Sequence, residues 1–193
     1  MKDKINQQER LVKKSKPSIT KEEKYFLGGL FEGDGSFYVI LKRKESSKFK
    51  LYIDPGIAIY QHQQGYILLE RASLLFNCGK IEQKPDSDNV YQFVIANRRS
   101  LMEKVIPFYK KYVYPFSAKK ESFNVFLEIV EGLERKDHHN LEGMKELVRK
   151  VYLMDTFTKG KSKRRARSLE ECMSLLESSE TKRLTLSSRD AKI

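Results

Sequence analysis

The stretch Leu-Gly-Gly-Leu-Phe-Glu-Gly-Asp-Gly at positions 27–35 constrains this chain more than any other feature. It closes a helix predicted over 21–32, which Thr20 and Glu23 begin as a capping box. That helix is apolar on nearly every side, so it must be buried on two sides. Its glycines would allow a second helix backbone to approach closely. The chain must therefore supply a packing partner for both sides of one short helix.

Two carboxylates, Glu32 and Asp34, lie at the end of this helix, where the helix dipole disfavours negative charge. A divalent cation is the obvious group to offset that cost, because hard cations such as Mg²⁺ prefer oxygen ligands. Judged on residue types alone, a glycine-rich helix-to-strand turn with solvated acids explains the stretch equally well.

The charge of the chain points to an anionic partner. Among 193 residues, 38 Lys and Arg oppose 26 Asp and Glu, which gives a formal net charge of +12. On a folded domain such a charge favours nucleic acid as the partner. We expect no membrane span, no secretory signal and no membrane partner, because the apolar runs are short. Neither a phosphate-binding glycine loop nor a serine nucleophile motif appears, so no small-molecule substrate is expected.

Two cysteines, Cys78 and Cys172, are too few for a disulfide framework and indicate a reducing, intracellular setting. Three segments are expected along the chain: a basic flexible arm at 1–19, one domain at 20–154, and a basic tail at 155–193 with a possible short helix. Six basic residues lie at 159–168, where a solvated run is the common explanation and phosphate contacts are the alternative.

Within the domain, the apolar patterns predict the order α–β–β–α–β–β–α–α–α. Two hairpins would form a four-stranded antiparallel sheet with helices on one face, which is an α+β fold. Pro55 and Gly56 are expected to cause a bulge or a bend in the second strand. The helix that Asn97 caps is expected to end before Pro107.

The other face of the predicted sheet carries a mixture of Lys, Asp, Glu, Asn and Tyr. Such side chains suit the reading of base edges in the major groove of DNA. A merely solvated face is the alternative, and the net charge weighs against it. The residues expected to contact DNA are Tyr38, Ile40, Lys42, Lys44, Tyr52, Asp54, Ala58, Tyr60, Lys80, Glu82, Lys84, Asn89 and Tyr91.

The stretch at 27–35 resembles the signature of the LAGLIDADG homing endonucleases, and matches its hydrophobic, small and acidic classes at all nine positions. The predicted element order over 20–154 also resembles the αββαββα core of that family. Members with one copy of the motif work as homodimers, and this sequence has one copy, so the resemblance implies a homodimer. The two copies of the first helix would meet through Gly28, Gly29 and Glu32, with the open sheet face saddling DNA.

The same resemblance assigns roles in catalysis. Asp34 matches the metal-binding acid of the family, with the carbonyl of Gly33 as a further ligand and Mg²⁺ as the implied cofactor. Gln61 matches a polar residue that orders water near the metals. Lys119 matches a lysine that steadies the nucleophile or the developing charge, with Lys120 as the alternative match. Without the resemblance, Gln61 merely closes a strand and Lys119 is a surface lysine.

The function implied is Mg²⁺-dependent, site-specific cleavage of double-stranded DNA by an intron-encoded homing endonuclease with a long, nearly palindromic target. An intron RNA maturase or a non-cleaving DNA-binding regulator of the same fold is the alternative, and a general RNA-binding protein is a third. Asp34 and Gln61 favour the first, because a pure binder needs no carboxylate facing phosphates. The protein is then expected in a plastid, a mitochondrion or a prokaryotic cytoplasm, wherever the host intron lies.

Overall fold

The computed structural model describes residues 18–85, 87–157 and 165–190, with the side chains of 181–190 left out. Most of the expected N-terminal arm and of the basic run at 159–168 lies outside these residues. The elements are α1 (Lys21–Asp34), β1 (Gly35–Arg43), β2 (Leu51–His62), α2 (Tyr66–Phe76), β3 (Lys80–Gln83), β4 (Val90–Ile95), α3 (Arg98–Ser100), α4 (Ile106–Tyr112), α5 (Lys120–Glu134), α6 (Leu141–Thr156) and α7 (Leu169–Asp190).

The four strands form one antiparallel sheet in the order β1-β2-β4-β3, with the helices packed on one face, as predicted. Strands β1 and β2 pair without interruption from Gly35↔Ile59 to Arg43↔Leu51, so the bulge or bend expected at Pro55 and Gly56 is wrong. Proline is tolerated there because β4 pairs only with residues 57–62 of β2, which leaves one side of Pro55 without a strand.

Glycine is required at position 56 for a packing reason. A Cβ atom placed on Gly56 would lie 2.4 Å from Cζ of Tyr38, whose ring crosses from the neighbouring strand. The pair Tyr38↔Gly56 in the strand register brings the two residues opposite each other. The missing side chain of Gly56 thus leaves room for the Tyr38 ring on the open face of the sheet.

The core lies between the sheet and the helices, and the half-buried ring of Phe37 in β1 packs against it. The Phe37 ring centroid is 4.9 Å from those of Tyr109 and Phe126, and 5.4 Å from that of Phe31. Aromatic rings at these separations prefer tilted or edge-on arrangements, which the first pair adopts at 77°. This cluster fixes α1, α4 and α5 against the first strand.

Helix α1 begins with the predicted capping box, in which Thr20 and Glu23 each bond the other's backbone N–H. It runs to Asp34, two residues beyond the predicted end at 32. One side of the helix, with Leu27 and Phe31, is buried in its own chain. The other side is exposed here, where Phe26 keeps 60% of its surface accessible.

The helix that Asn97 caps does not end before Pro107, contrary to the prediction. The chain passes from α3 through a π-helical turn at Leu101–Val105 into α4, which places Pro107 in its first turn. Proline lacks the N–H needed in a helix interior but is tolerated in a first turn. The π-helical turn, which is rare in proteins, makes that first turn available in mid-helix.

The C-terminal helix α7 begins near the predicted short helix at about 168–177 but runs to Asp190, and it packs on α6 through the buried side chains of Cys172 and Leu176. Ahead of it, Arg165 donates to Asp155 at 2.6 and 2.8 Å and to the carbonyl of Val39 at 3.2 Å. Val39 belongs to β1, an edge strand of the sheet. No helix in the described part of the chain has the length and apolar character needed to span a bilayer.

Candidate active site

Asp34, the last residue of α1, meets Gln61 near the end of β2. Nε2 of Gln61 donates a hydrogen bond to Oδ2 of Asp34 at 2.6 Å. The contact follows from the register, because β1 starts directly after α1 and its first residue, Gly35, pairs with Ile59. The second strand therefore passes the helix end two residues later. The structure brings together two residues predicted from separate parts of the sequence.

Lys119 reaches the same corner from the beginning of α5. Its Nζ donates to the carbonyl of Gly35 at 2.7 Å, one residue beyond Asp34. Lys120 instead donates to the carbonyl of Pro115 at 3.3 Å. Of the two candidate lysines, Lys119 is the one at the corner with Asp34 and Gln61.

Glu32 is half-buried and bonds groups of its own chain, while its expected place at a dimer interface stays a prediction. Oε2 of Glu32 accepts from Oγ of Ser117 at 2.8 Å and from the hydroxyl of Tyr109 at 3.2 Å. Oε1 accepts from the N–H of Ala118 at 2.9 Å. Ser117 Oγ in turn accepts from the N–H of Lys119 at 2.8 Å. Glu32 therefore ties the helix that ends in Asp34 to the segment that carries Lys119.

Burial, together with the nearby Glu32 carboxylate, raises the pKa of Tyr109, so its hydroxyl stays protonated at neutral pH. A buried phenol that keeps its proton can serve as a donor within this network. Glu32 thus accepts from donors on α4 and on the Ser117 segment, both of which precede α5.

Glu32→Gln should lower stability by about 1–3 kcal/mol, because one face of the amide presents N–H donors to groups that are donors already. It should also reduce cleavage by loosening the Lys119 segment. Chemical denaturation of the variant, with exposed Glu70→Gln as the control for a lost charge, checks the first expectation. Equal stability of the two variants would contradict it.

The glycines of the motif divide between two surfaces. A Cβ on Gly28 would lie 3.2 Å from Cγ2 of Val113 and 3.3 Å from the carbonyl of Tyr112 in the same chain. The expectation that Gly28 belongs to a dimer interface is therefore corrected, since it packs against the segment after α4. Around Gly29 and Gly33 a Cβ would meet nothing within 4 Å. These two glycines lie on the exposed side of α1.

Gly65 is a functional candidate that the sequence pattern did not indicate. A Cβ on Gly65 would lie 2.3 Å from Oε1 of Gln61, although its φ of −93° is open to any residue. A side chain at position 65 would therefore displace the Gln61 amide that bonds Asp34. Only the β2 register and the turn after it, both invisible in the sequence, reveal this contact.

Gly65→Ala should lower the cleavage rate about 100-fold and leave DNA affinity unchanged, because a displacement of about 1 Å in a catalytic group has effects of that size. Exposed Gln64→Ala is the neighbouring control. Single-turnover cleavage and gel-shift assays on one duplex separate the two effects. Cleavage at the unmodified rate would show that the Gln61 amide is not held by this glycine.

The open face of the sheet holds most of the side chains predicted to contact DNA, and two expectations need correction. Ala58 is on this face but only 1% exposed. Tyr91 points to the helix side, where its ring centroid is 5.0 Å from that of Tyr66. Asn89 lies in the turn before β4 with its carbonyl bonded to the N–H of Gln63 at 2.8 Å, and because the residue is exposed its contact with DNA stays a prediction. Missing from the prediction is Gln92, which pairs with Tyr60 on the open face.

The lysines of the open face are held in place by neighbours. Lys42 pairs with Asp54 at 2.7 Å, and Nζ of Lys44 lies 4.8 Å from the ring centroid of Tyr52. Lys84 lies 5.3 Å from the ring centroid of Tyr60 in the same way. Ammonium groups on aromatic faces lose less entropy when they bind a phosphate, because their position is already restricted.

Three further polar residues line this face. Lys80 pairs with Glu82 at 2.5 Å, and the Lys80 hydrogen bond keeps the pKa of Glu82 below its usual value. Burial, then the nearby Asp54 carboxylate, raises the pKa of Tyr38 to about 12, so its hydroxyl remains a neutral group. The face therefore offers fixed donors and acceptors of both kinds, with Ile40 as an exposed apolar contact.

The sequence pattern that describes LAGLIDADG endonucleases matches residues 27–130, which is more than half of the chain. This chain belongs to the LAGLIDADG endonuclease family. The match begins at the helix that carries Gly28 and Asp34 and ends within α5, so it includes Gln61 and Lys119. The match to the family pattern therefore includes Asp34, Gln61 and Lys119.

Two curated relatives are similar in sequence. DNA endonuclease I-CeuI of Chlamydomonas moewusii is 38% identical over 135 residues, which are 69% of this chain and 61% of that enzyme. Homing endonuclease I-ApeII of Aeropyrum pernix is 29% identical over 153 residues, 78% of this chain and 88% of that protein. The chain thus spans about three fifths of the length of the first relative.

Two solved structures of homing endonucleases complexed with DNA have a similar fold. The group I intron-encoded homing endonuclease I-CeuI, complexed with DNA, gives a TM-score of 0.75 at 31% identity, covering 83% of this chain and 78% of that one. The archaeal intron-encoded homing endonuclease I-Vdi141I, also complexed with DNA, gives 0.74 at 28% identity, with 83% and 98% covered. The αββαββα core predicted from the sequence is confirmed.

Proposed function

We propose that this protein is a site-specific endonuclease that cleaves double-stranded DNA with the help of Mg²⁺. The observation that carries the proposal is the corner where Asp34, Gln61 and Lys119 meet from three separate elements. The open face with its positioned lysines provides the DNA-binding surface next to it. The similar proteins named as endonucleases, two of them solved on DNA, support the same assignment.

The donors at the corner fit a divalent cation, although one chain supplies few of them. Asp34 is an exposed carboxylate, and Gly33 lies in the last turn of α1, where backbone carbonyls lack helical partners. These are the hard oxygen ligands that Mg²⁺ prefers. Across the described ranges, no three His, Cys, Asp or Glu side chains lie close enough to hold a metal together. We infer that a second subunit and the DNA phosphates complete the site.

A bound Mg²⁺ supplies charge neutralisation and an acidic water at the phosphodiester. In this proposal the chain's own residues position the reactants. Gln61 fixes one oxygen of Asp34 and leaves the other oxygen for the cation. The ammonium of Lys119, at the start of α5, contributes positive charge where the phosphate becomes more negative. Glu32 holds that lysine's segment in register with Asp34.

We further propose that the active form is a homodimer joined through the exposed side of α1. Tyr25 and Phe26 on this side are 45% and 60% exposed, and Gly29 and Gly33 leave the backbone open to a close approach. Each subunit would then deliver one Asp34 to the shared site. A two-fold protein of this kind fits a nearly palindromic target.

The proposal extends to an intron-encoded homing enzyme that acts where its host intron lies, in an organelle or a prokaryotic cytoplasm. The test uses supercoiled plasmids that carry the host gene with and without the intron. Incubation with Mg²⁺ should linearise only the uninterrupted version, since the intron divides the target. Binding to the intron RNA without cutting either plasmid would instead favour the maturase alternative.

A further inference from the structure

A basic pocket of about 300 Å³ opens at the end of the sheet opposite Asp34. It lies between the β1–β2 turn and the loop that joins α5 to α6, with core side chains as its floor. At about 3.4 Å per residue along β1, roughly 27 Å separates it from the proposed active site. We call it the basic pocket. Its polar lining includes Lys44, Lys48, Tyr52, Arg98, His138 and His139.

The cationic side chains of the basic pocket are held by hydrogen bonds that leave some of their N–H donors unused. Nζ of Lys48 donates to the carbonyl of His139 at 2.5 Å, which uses one of its three N–H groups. Arg98 donates to the carbonyl of Leu133 at 3.1 Å and pairs with Glu134, also at 3.1 Å. A guanidinium has five N–H groups, so several are left for a ligand. None of the described residues that line the pocket carries a carboxylate.

His138 gives a second indication of a ligand. Its Nδ1 atom is buried and has no hydrogen-bond partner, the sole such side-chain atom in the described part of the chain. Buried polar atoms nearly always have a partner, so an exception calls for an explanation. Burial, then the neighbouring His139 and Arg98, lowers the pKa of His138. An anion in the pocket would offset the positive charge of these neighbours.

We propose that the basic pocket binds a phosphate group. Lysine, arginine, histidine and the hydroxyl of Ser46 are typical phosphate ligands, and the pocket has room for one. Lys44 and Tyr52 belong both to the pocket and to the open face of the sheet, so a duplex on that face would pass its mouth. The phosphate belongs either to the backbone of the bound duplex, which rests on the proposed function, or to a free molecule.

The first arm of the test measures the salt dependence of duplex binding for Arg98→Gln and Lys48→Gln. If these residues contact a backbone phosphate, each substitution should reduce the slope of log K against log salt by about 0.9. Arg99→Gln is a matched control, because the adjacent arginine pairs with Glu103 at 2.7 Å outside the pocket. Exposed Lys110→Gln is the control for Lys48. Unfolding midpoints verify that Arg98→Gln still folds, and Lys48→Gln is a second variant if it does not.

The second arm uses inorganic phosphate and no DNA, with the ring resonances of His138 in the full chain as the readout. Saturable shifts that Arg98→Gln abolishes and Arg99→Gln keeps, with unchanged salt slopes, would assign the pocket to free phosphate. Reduced slopes would assign it to the duplex. Unaltered slopes together with no saturable shift would overturn the proposal. Because this arm needs no duplex, it decides the pocket even if the endonuclease proposal fails.

Discussion

Asp34→Asn should reduce DNA cleavage at least 10³-fold while DNA binding survives. The amide keeps the shape of the side chain and its bond to Gln61, but it removes the charge that would hold the cation. A bound metal contributes several kcal/mol to catalysis, and each 1.36 kcal/mol is a factor of ten in rate. Binding should be unchanged or stronger, because a carboxylate near phosphates is repulsive when no cation lies between them.

Cleavage in Mg²⁺ and gel shift in Ca²⁺, on the same duplex, measure the two effects separately. Asp137→Asn is the control, since it makes the same chemical change at the α5–α6 loop, where Asp137 bonds Arg135. A mixed dimer with one Asp34→Asn subunit should nick DNA or be impaired on both strands. Near-normal cutting by the variant would remove Asp34 from catalysis, and most of the enzyme proposal with it.

Phe26→Glu should convert the protein from a dimer to a monomer and abolish double-strand cleavage. The ring is 60% exposed in one chain, beside Tyr25 and the open glycines of α1. In the proposed dimer the substitution would bury a carboxylate on each side of the two-fold axis, which costs several kcal/mol per ion. Without the second subunit, the single carboxylate at each corner leaves the metal site incomplete.

Sedimentation at micromolar concentration measures the association state. Leu153→Glu is a matched control, because Leu153 is 45% exposed on α6, a helix that packs against α5 and α7. A stable monomer for the unmodified protein would contradict the dimer proposal. Gly28→Leu is no substitute in this experiment, since the new side chain would strike Val113 in the same chain and weaken the fold itself.

Local signals were sufficient for most of the fold. The Thr20–Glu23 capping box, the alternation in β1 and β2, and the helical apolar spacing of α5 all depend on residues close in sequence. The side on which Tyr91 points was missed because the strand has aromatic or apolar residues at both parities, Val90 and Tyr91 among them. Its orientation is set by pairing with Gln61, which lies thirty residues earlier in the sequence.

The candidate site was also predicted only in part from the sequence. The motif and its resemblance placed Asp34, Gln61 and Lys119, and the structure brings them to one corner. The partners of Glu32 were not predicted, because Ser117 and Tyr109 lie 85 and 77 residues further along the chain. A carboxylate followed two residues later by another gives no indication that one faces inward. Only tertiary packing separates the two acids.

Arg165 has a consequence for biosynthesis. Its guanidinium bonds the carbonyl of Val39, 126 residues earlier, on the free edge of the sheet. During translation the first hairpin is complete long before this arginine leaves the ribosome. At about 5–20 residues per second, the edge of β1 waits at least several seconds without this contact. In that interval an unpaired strand edge can pair with another nascent chain, so we expect misassembly to be favoured until residue 165 has left the ribosome.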